Sequence, residues 1–466
     1  MSHTIVLGGG LCGLSAAMML ARDGHRVTVL ERDPAPVPAD PEAAWERWPR
    51  AGVTQFRQAH YLQPLGRAVL ERELPDVLQA FKAAGAYRFD PIAHAMPETI
   101  ADRTPRDGDE RFVTYTGRRS TLEWAISRVA EAEPGVEIRR GVGATALETQ
   151  RRDGRVHVTA VRTDAGDRLA GELIIDAMGR GSALPKLLAA AGGPPVVEEA
   201  EDTGFLYYTR FFRGEPPEVR GPLNAPVGTF SILTLPGDNG TWSVTLYASA
   251  GDQPLKAMRH AETWTAVVGA CPRHAHWLDG EPITAVMPMG GIVDRVRSAN
   301  GDGAATGVLS LGDAWACTNP SMGRGMTLGL AHAALLRRTV REAGDDPGAL
   351  VASYAAATEA ELKPWYDSTV LVDRARMAQI VALRDGRTPA APPPEQLGAR
   401  IGAALPAAMS LDPDVFRAGV EIAGCLSLPR DVFTRPGFGE RVFAVAAEAT
   451  PSPLGPDRQE LLTLVT

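Results

Sequence analysis

The chain has 466 residues, of which 44% are hydrophobic and 22% are charged, and its formal net charge is −8. This length allows a large buried core and predicts two or three domains. The acidic balance and the lack of a basic tract argue against a nucleic-acid partner, and no apolar run approaches the ~20 residues that a membrane span needs.

The N-terminus begins almost at once with a β-prone run, Thr4 to Leu7, which leaves no room for a signal peptide. The four cysteines are scattered and form no C-x-x-C pair. These features predict a reduced, cytoplasmic protein and leave its oligomeric state open.

The first motif is G-x-G-x-x-G, formed by Gly8, Gly10 and Gly13. It follows the run from Thr4 to Leu7, which is typical of a buried parallel strand, and it precedes apolar residues at helical spacing. A strand, a glycine turn and a helix in this order direct backbone N–H groups and the positive end of a helix dipole at a pyrophosphate. The glycines allow the turn, the approach of the pyrophosphate and tight helix packing.

The second predicted strand, Val27 to Leu30, ends at Glu31, about 20 residues beyond the glycines. A carboxylate at this position accepts hydrogen bonds from an adenosine ribose and disfavours a 2′-phosphate. Glu31, with Arg32 beside it, therefore extends the prediction to a dinucleotide site. An ordinary glycine-rich turn is the alternative, and this stretch alone does not distinguish FAD from NAD.

The middle of the chain changes character between residues 204 and 247. The segments "FLYYTRFFR", "FSILTL" and "TWSVTLY" predict antiparallel strands of a second sheet. Tyr208, Arg210 and Phe212 alternate along the first of these strands, and we predict that they bind the substrate. The alternatives are that the aromatic rings pack in a core and that Arg210 points outward into an ion pair.

The third region, "LSLGDAWACTNPSMGRGMTLGLAHA", again predicts a strand, a turn and a helix. Asp313 would lie at the strand end, within reach of the hydroxyl chain of a cofactor. Gly323 and Gly325 would open a helix whose N-terminus faces a second anionic group. For a flavin this group is the N1–C2=O edge, which becomes negative on reduction.

These motifs, together with "DAMGRGS" at Asp176 to Ser182, resemble single-component FAD-dependent monooxygenases of the p-hydroxybenzoate hydroxylase fold. "DAMGRGS" and "RQAHYL" at Arg57 to Leu62 are most similar to the polyether epoxidase and squalene epoxidase-like branch. The resemblance extends to about Arg338. It implies an α/β fold with a Rossmann-like FAD-binding domain of the GR2 type, an antiparallel-sheet substrate domain and a C-terminal helical region.

The parallel-strand pattern returns near Val308, which predicts domains that are discontinuous in sequence. The predicted bounds are 1–70, 100–200 and 296–342 for the FAD-binding domain, 71–99 and 201–295 for the substrate domain, and 343–466 for the helical region.

The resemblance also implies the chemistry. NAD(P)H reduces FAD, O2 forms a flavin C4a-hydroperoxide, and this species epoxidises or hydroxylates a hydrophobic small molecule in specialised metabolism. The implied catalytic residues are Arg57 and His60, with a solvated arginine and a structural histidine as the alternatives. The implied cofactor-binding residues are Gly8, Gly10, Gly13, Glu31, Arg32, Arg119, Asp313, Pro320, Gly323 and Gly325.

Other activities fit the pattern less well. "DAMGRGS" replaces the A-D-G-x-x-S of simple phenol hydroxylases, and the W-x-W-x-I-P motif of flavin halogenases is absent. Cys271, His274 and His276 cannot complete a tetrahedral metal site alone, so we predict no metal. Two alternatives remain: a flavin-dependent reductase or dehydrogenase of an isoprenoid-like substrate without oxygen insertion, and a non-catalytic flavin-binding protein.

Overall fold

The computed structural model describes residues 2–298, 303–450 and 453–466. Its strands, in chain order, are β1 (His3–Leu7), β2 (Arg26–Glu31), β3 (Tyr87–Phe89), β4 (Thr114–Thr116), β5 (Val136–Arg140), β6 (Ala144–Arg152), β7 (Arg155–Thr163), β8 (Arg168–Ala170), β9 (Leu173–Asp176), β10 (Val197–Glu201), β11 (Phe205–Arg213), β12 (Asn224–Val227), β13 (Phe230–Pro236), β14 (Thr241–Ser249), β15 (Glu281–Pro282), β16 (Met287–Met289), β17 (Asp294–Ser298), β18 (Val308–Ser310) and β19 (Ala316–Cys317).

Its helices, in chain order, are α1 (Leu11–Arg22), α2 (Pro41–Arg47), α3 (Pro64–Glu73), α4 (Pro75–Ala83), α5 (Pro91–His94), α6 (Arg119–Ala132), α7 (Leu184–Ala190), α8 (Ala261–Gly269), α9 (Gly325–Ala343), α10 (Pro347–Glu361), α11 (Lys363–Arg384), α12 (Leu397–Met409), α13 (Pro413–Ala423), α14 (Pro429–Phe433), α15 (Phe438–Glu448) and α16 (Arg458–Val465).

A five-stranded parallel sheet with the order β18-β9-β1-β2-β5 forms the nucleotide-binding core. Its central strand, β1, is apolar from Ile5 to Leu7 and buried on both faces there. Val6 packs in the core that includes α1 and α9, while Ile5 packs towards the β6-β7-β8 sheet. The predicted Rossmann-like core is confirmed.

An antiparallel sheet with the order β12-β13-β14-β11-β15 lies apart from the parallel one. One face packs on α8, where Phe212 and Trp264 share a core. The other face packs on α11, where Tyr207 and Tyr247 contact Ile380. The predicted second sheet is therefore confirmed, and both of its faces carry apolar side chains.

Beyond residue 346 the described chain carries helices α10 to α16, which are joined by loops. Helix α11 reaches back to the antiparallel sheet through Arg376, whose Nε donates to Ser231 Oγ at 3.1 Å. The predicted fold class is confirmed in its three parts. The domain bounds remain a prediction, and parts of the segments 1–70, 296–342 and 343–466 lie outside the described residues. Across the described ranges, no helix has the length and apolar composition to cross a membrane.

Candidate active site

The glycine-rich turn between β1 and α1 has the geometry of a phosphate cradle. Gly8 has a φ of +107°, and a Cβ there would lie 2.4 Å from the carbonyl oxygen of Ala177. A Cβ on Gly13 would lie 2.0 Å from the carbonyl oxygen of Gly8, so this glycine allows the helix to pack on the turn. Gly10 faces open space, and no side chain caps α1, so its first N–H groups are available to an anion.

Glu31 at the end of β2 is fixed by the same turn. Its Oε2 accepts a hydrogen bond from Gly9 N at 3.0 Å, and its Oε1 accepts one from Asp33 N at 2.8 Å. An ionised carboxylate has about four lone-pair sites, so acceptor capacity remains for ribose hydroxyls. The Glu31 carboxylate lies on the wall of a large cavity, as the ribose prediction requires.

Arg50 connects the residues of this region, and it is not among the predicted site residues. Its side chain is 2% exposed, lies 3.2 Å from Glu31 and 3.4 Å from Glu123, and donates to the carbonyl oxygen of Gly9 at 3.0 Å. Burial opposes the charge of Arg50, but the carboxylates of Glu123, Glu31 and Asp33 outweigh it and raise its pKa above the usual value.

Arg119 and His60 meet on the cavity wall. Arg119 donates to Glu123 Oε1 at 2.7 Å, and its Nη1 lies 3.2 Å from His60 Nε2. His60 Nδ1 must donate to the carbonyl oxygen of Gln58, 2.9 Å away, which leaves the Nε2 lone pair for Arg119. Burial and the Arg119 charge lower the pKa of His60 to about 3, so its ring is neutral.

Asp313 follows β18 in a short turn, Gly312–Ala314, and burial raises its pKa against the opposing charges of Arg119 and Arg180. The turn is held from behind by His332. The Gly312 N–H donates to His332 Nδ1 at 3.2 Å, and His332 Nε2 lies 2.5 Å from the Tyr354 hydroxyl, which donates to the carbonyl oxygen of Ser310. Burial lowers the pKa of His332 to about 3.

The turn Pro320–Met322 leads into α9 through Gly323, whose φ is +61°. No side chain caps α9, so its N-terminus also faces the cavity with free N–H groups. Asn224 Nδ2 donates to the carbonyl oxygen of Ser321 at 2.9 Å, and Asn224 Oδ1 accepts from the Tyr247 hydroxyl at 2.9 Å. The antiparallel sheet therefore fixes this turn directly.

One cavity of about 1980 Å³ joins these features. Pockets for drug-sized ligands hold about 300–1,000 Å³, so this cavity has room for a dinucleotide and a second molecule. The predicted residues that line it are Gly8, Gly10, Glu31, Arg32, His60, Arg119, Asp313, Pro320, Gly323 and Gly325. The open cradle at Gly10, the two uncapped helices and the buried Glu31 fit the pyrophosphate, ribose and ring of FAD.

Tyr208, Arg210 and Phe212 do not line the cavity, which corrects the prediction for the substrate site. Their face of β11 packs on α8, and Trp264 Nε1 donates to the carbonyl oxygen of Tyr208 at 2.9 Å. The Arg210 guanidinium lies over the rings of Phe212 and Trp264 and donates to the Thr284 carbonyl oxygen. The opposite face of the sheet carries the cavity residues, among them Tyr247.

Arg57 is exposed and lies outside the cavity wall, which also corrects the prediction of a role near the flavin. Its guanidinium donates to the carbonyl oxygens of Trp45 at 3.0 Å and Glu46 at 2.8 Å. These carbonyls belong to the last turn of α2, where free carbonyl groups attract a cation.

The CPRHAHW segment is structural in this fold. His274 Nε2 and His276 Nε2 donate to the carbonyl oxygens of Pro222 and Glu218, and burial raises the pKa of the Cys271 thiol to about 12. Within the described ranges, no group of three or more His, Cys, Asp or Glu side chains is placed to hold a metal ion.

A glycine-rich turn followed by a carboxylate at the end of β2, with a second uncapped helix on the same cavity and a separate antiparallel sheet, defines a Rossmann-like protein with a dinucleotide-type site. The family model described as "FAD binding domain" matches residues 1–360, and the chain belongs to this family.

Relatives and solved structures agree with this membership. Protein Rv3254 of Mycobacterium tuberculosis is 27% identical over 361 residues, which is 73% of each chain. Kynurenine 3-monooxygenase of Stenotrophomonas maltophilia is 26% identical over 386 residues, 77% of this chain and 75% of that protein. The structure of Pseudomonas aeruginosa PqsL in complex with 2-aminobenzoylacetate has a TM-score of 0.61 and 19% identity, covering 82% of this chain and 97% of that one. The predicted family of FAD-dependent monooxygenases is confirmed.

Proposed function

We propose that this protein uses FAD, NAD(P)H and O2 to hydroxylate or epoxidise a hydrophobic small molecule, as a cytoplasmic enzyme of specialised metabolism. The observation that carries the proposal is the continuity of the cavity from the flavin motifs to an apolar wall. FAD supplies the oxygen chemistry when it is bound and reduced, so the protein needs no nucleophile of its own.

The apolar wall comes from parts of the chain that are far apart in sequence. Phe89 and Met96 contribute from the segment around α5, Leu235 from β13 and Phe416 from α13. Such a wall excludes water from the oxygen-transfer step. Tyr247 and Asn224 are the polar groups that would orient a bound molecule beside the Pro320–Met322 turn.

His60 and Arg119 would act on the flavin side of the cavity. The neutral His60 ring accepts a hydrogen bond from Arg119 and keeps the guanidinium oriented on the wall. We infer that Arg119 contacts the phosphate or ribityl region and that His60 holds it there.

The test uses the full chain loaded with FAD, with kynurenine and 2-aminobenzoylacetate as probes because these compounds are named for two of the similar proteins. We expect at least one probe to accelerate NADH or NADPH oxidation about tenfold and to yield a product that carries one 18O atom from 18O2. A product without the label would overturn the proposal in favour of the reductase or dehydrogenase alternative. Slow NAD(P)H oxidation that no probe changes would favour the non-catalytic flavin-binding alternative.

A further inference from the structure

Asp373 on α11 is a buried carboxylate on the cavity wall, far in sequence from the flavin motifs. The residue is 1% exposed. Its Oδ1 accepts a hydrogen bond from Ser321 Oγ at 2.5 Å, whereas its Oδ2 has no hydrogen-bond partner in the described part of the chain. A buried oxygen without a partner destabilises the fold, so its presence on a cavity wall calls for an explanation.

The contact with Ser321 ties Asp373 to the turn that is predicted to border the isoalloxazine. Ser321 is the middle residue of Pro320–Met322, and the sheet holds the same residue from the other side through Asn224. The preceding Asn319 accepts a hydrogen bond from the Tyr207 hydroxyl. The Asn319 N–H also donates to Asp294 Oδ1 at 2.7 Å. The turn and the residue before it are therefore fixed by side chains from β11, β12, β17 and α11, and Asp373 is the carboxyl group that contacts the turn itself through Ser321.

No lysine or arginine nitrogen of the described residues lies within 4.0 Å of the Asp373 carboxylate. The cation whose charge acts on the pKa of Asp373 is Arg324, which lies over the Trp365 ring and donates to Thr369 Oγ1 at 3.2 Å. Burial raises the pKa of Asp373 to about 7, the Ser321 hydrogen bond and Arg324 oppose this shift, and Asp294 adds to it. The titratable or charged groups around this site are Arg324, Asp294, Tyr207, Tyr247, Arg376 and Cys425.

We propose that Asp373 is a positioning residue of the flavin site, which fixes the Pro320–Met322 turn through Ser321 and sets the reduction potential of bound FAD through the charge of its carboxyl group. The proposal rests on the proposed function, because it requires FAD with its ring at this turn. When FAD takes up two electrons and one proton, the N1–C2=O edge gains a negative charge. A carboxylate nearby disfavours that charge, whereas a carboxylic acid does not.

The test compares the FAD midpoint potential of the wild type, Asp373→Asn and the control Asp367→Asn, measured by dithionite titration with a reference dye at pH 6 and pH 8.5. Asp367 lies on the same helix, is exposed and pairs with Lys363 at 2.7 Å, so the control makes the same charge change away from the cavity. At pH 8.5 we expect the preference of Asp373→Asn for reduced FAD relative to oxidised FAD to be about tenfold greater than that of the wild type. For a two-electron couple, this raises the midpoint potential by about 30 mV. The difference should shrink at pH 6, and the control should match the wild type at both values.

A potential of Asp373→Asn that equals the wild type at pH 8.5, or an equal offset at both pH values, would overturn the proposal. If the variant does not fold, the potential of the wild type decides: a change of slope against pH near neutrality supports the proposal, and a straight line contradicts it. The measurement of the potential needs neither substrate nor O2, so a product without the 18O label would not contradict the proposal for Asp373. A protein that takes up no FAD overturns both proposals.

Discussion

The Arg50 guanidinium lies 3.2 Å from the Glu31 carboxylate, and this buried pair joins the glycine-rich turn to the acidic residue that ends β2. Arg50 also faces Asp33 and Glu123, and Glu123 shares its charge with Arg119 as well. The pair belongs to the cofactor site as much as to the core, because Arg50 and Glu31 both line the cavity.

Arg50→Ala should therefore destabilise the protein by about 3–5 kcal/mol, because it leaves buried carboxylates without their cation. It should also weaken FAD binding, because Glu31 and the Gly9 carbonyl lose a common partner. Urea unfolding of the apoprotein and FAD titration measure the two effects. The exposed Arg47→Ala is the matched control, and a loss below about 1 kcal/mol in Arg50→Ala would contradict this account.

Two glycines of the first motif should respond differently to alanine. Gly10→Ala points its methyl group into open space, so the apoprotein should stay within about 1 kcal/mol of the wild type while FAD affinity falls at least tenfold, about 1.4 kcal/mol. Gly13→Ala forces a methyl group against the Gly8 carbonyl and should destabilise the apoprotein itself by about 1–3 kcal/mol. Equal effects of both variants on apoprotein stability would contradict the assignment of Gly10 to the pyrophosphate.

Tyrosine-to-phenylalanine variants can test which face of the sheet, at β11 and β14, contacts the substrate. Tyr247→Phe removes the hydroxyl that donates to Asn224 on the cavity side, a hydrogen bond of about 0.5–1.5 kcal/mol, so the KM for the active probe should rise. Tyr208→Phe makes the same chemical change on the α8 side and should leave the KM unchanged. Steady-state NAD(P)H oxidation measures the KM of both variants. A rise of the KM in Tyr208→Phe alone would place the substrate on the α8 face of the sheet and contradict this prediction.

Because of His332, the free energy of unfolding should decrease in mild acid. Its pKa is about 3 in the fold and near 6.5 when unfolded, so only the unfolded chain takes up its proton as the pH falls below 6.5. This difference removes up to about 2 kcal/mol between pH 6.5 and pH 5. Asp176 and Asp373, whose pKa values are raised to about 6 and about 7, act in the opposite direction, so the wild type alone does not isolate the histidine.

The comparison that isolates it is urea unfolding of the wild type and His332→Asn at pH 6.5 and pH 5. The asparagine oxygen can still accept the Gly312 N–H, and the carboxylates are common to both proteins. We expect the wild type to lose about 2 kcal/mol more than the variant over this interval. Parallel losses would show that His332 is protonated in the folded state.

The cofactor end of the site was predictable because its chemistry is local. Gly8, Gly13 and Glu31 lie on one strand-turn-helix-strand unit, where strand and helix periodicity fix their relative positions.

The substrate end was not predictable, for two physical reasons. Both faces of the antiparallel sheet are covered by helices and are apolar, so alternation alone does not tell which face of β11 is the one on the cavity side. Arg50 and Asp373 depend on contacts across long sequence separations, and neither stands in a motif. Arg50 and Arg57 occur in the same region of the chain, and the family resemblance implied only Arg57.

The cavity wall at Asp373 and Phe416 lies beyond residue 360, where the match to the family model ends. Replacements at positions such as Phe416 can therefore alter the lining of the cavity without touching the glycine-rich turn or Glu31, whereas a replacement of Asp373 also reaches the Pro320–Met322 turn through Ser321.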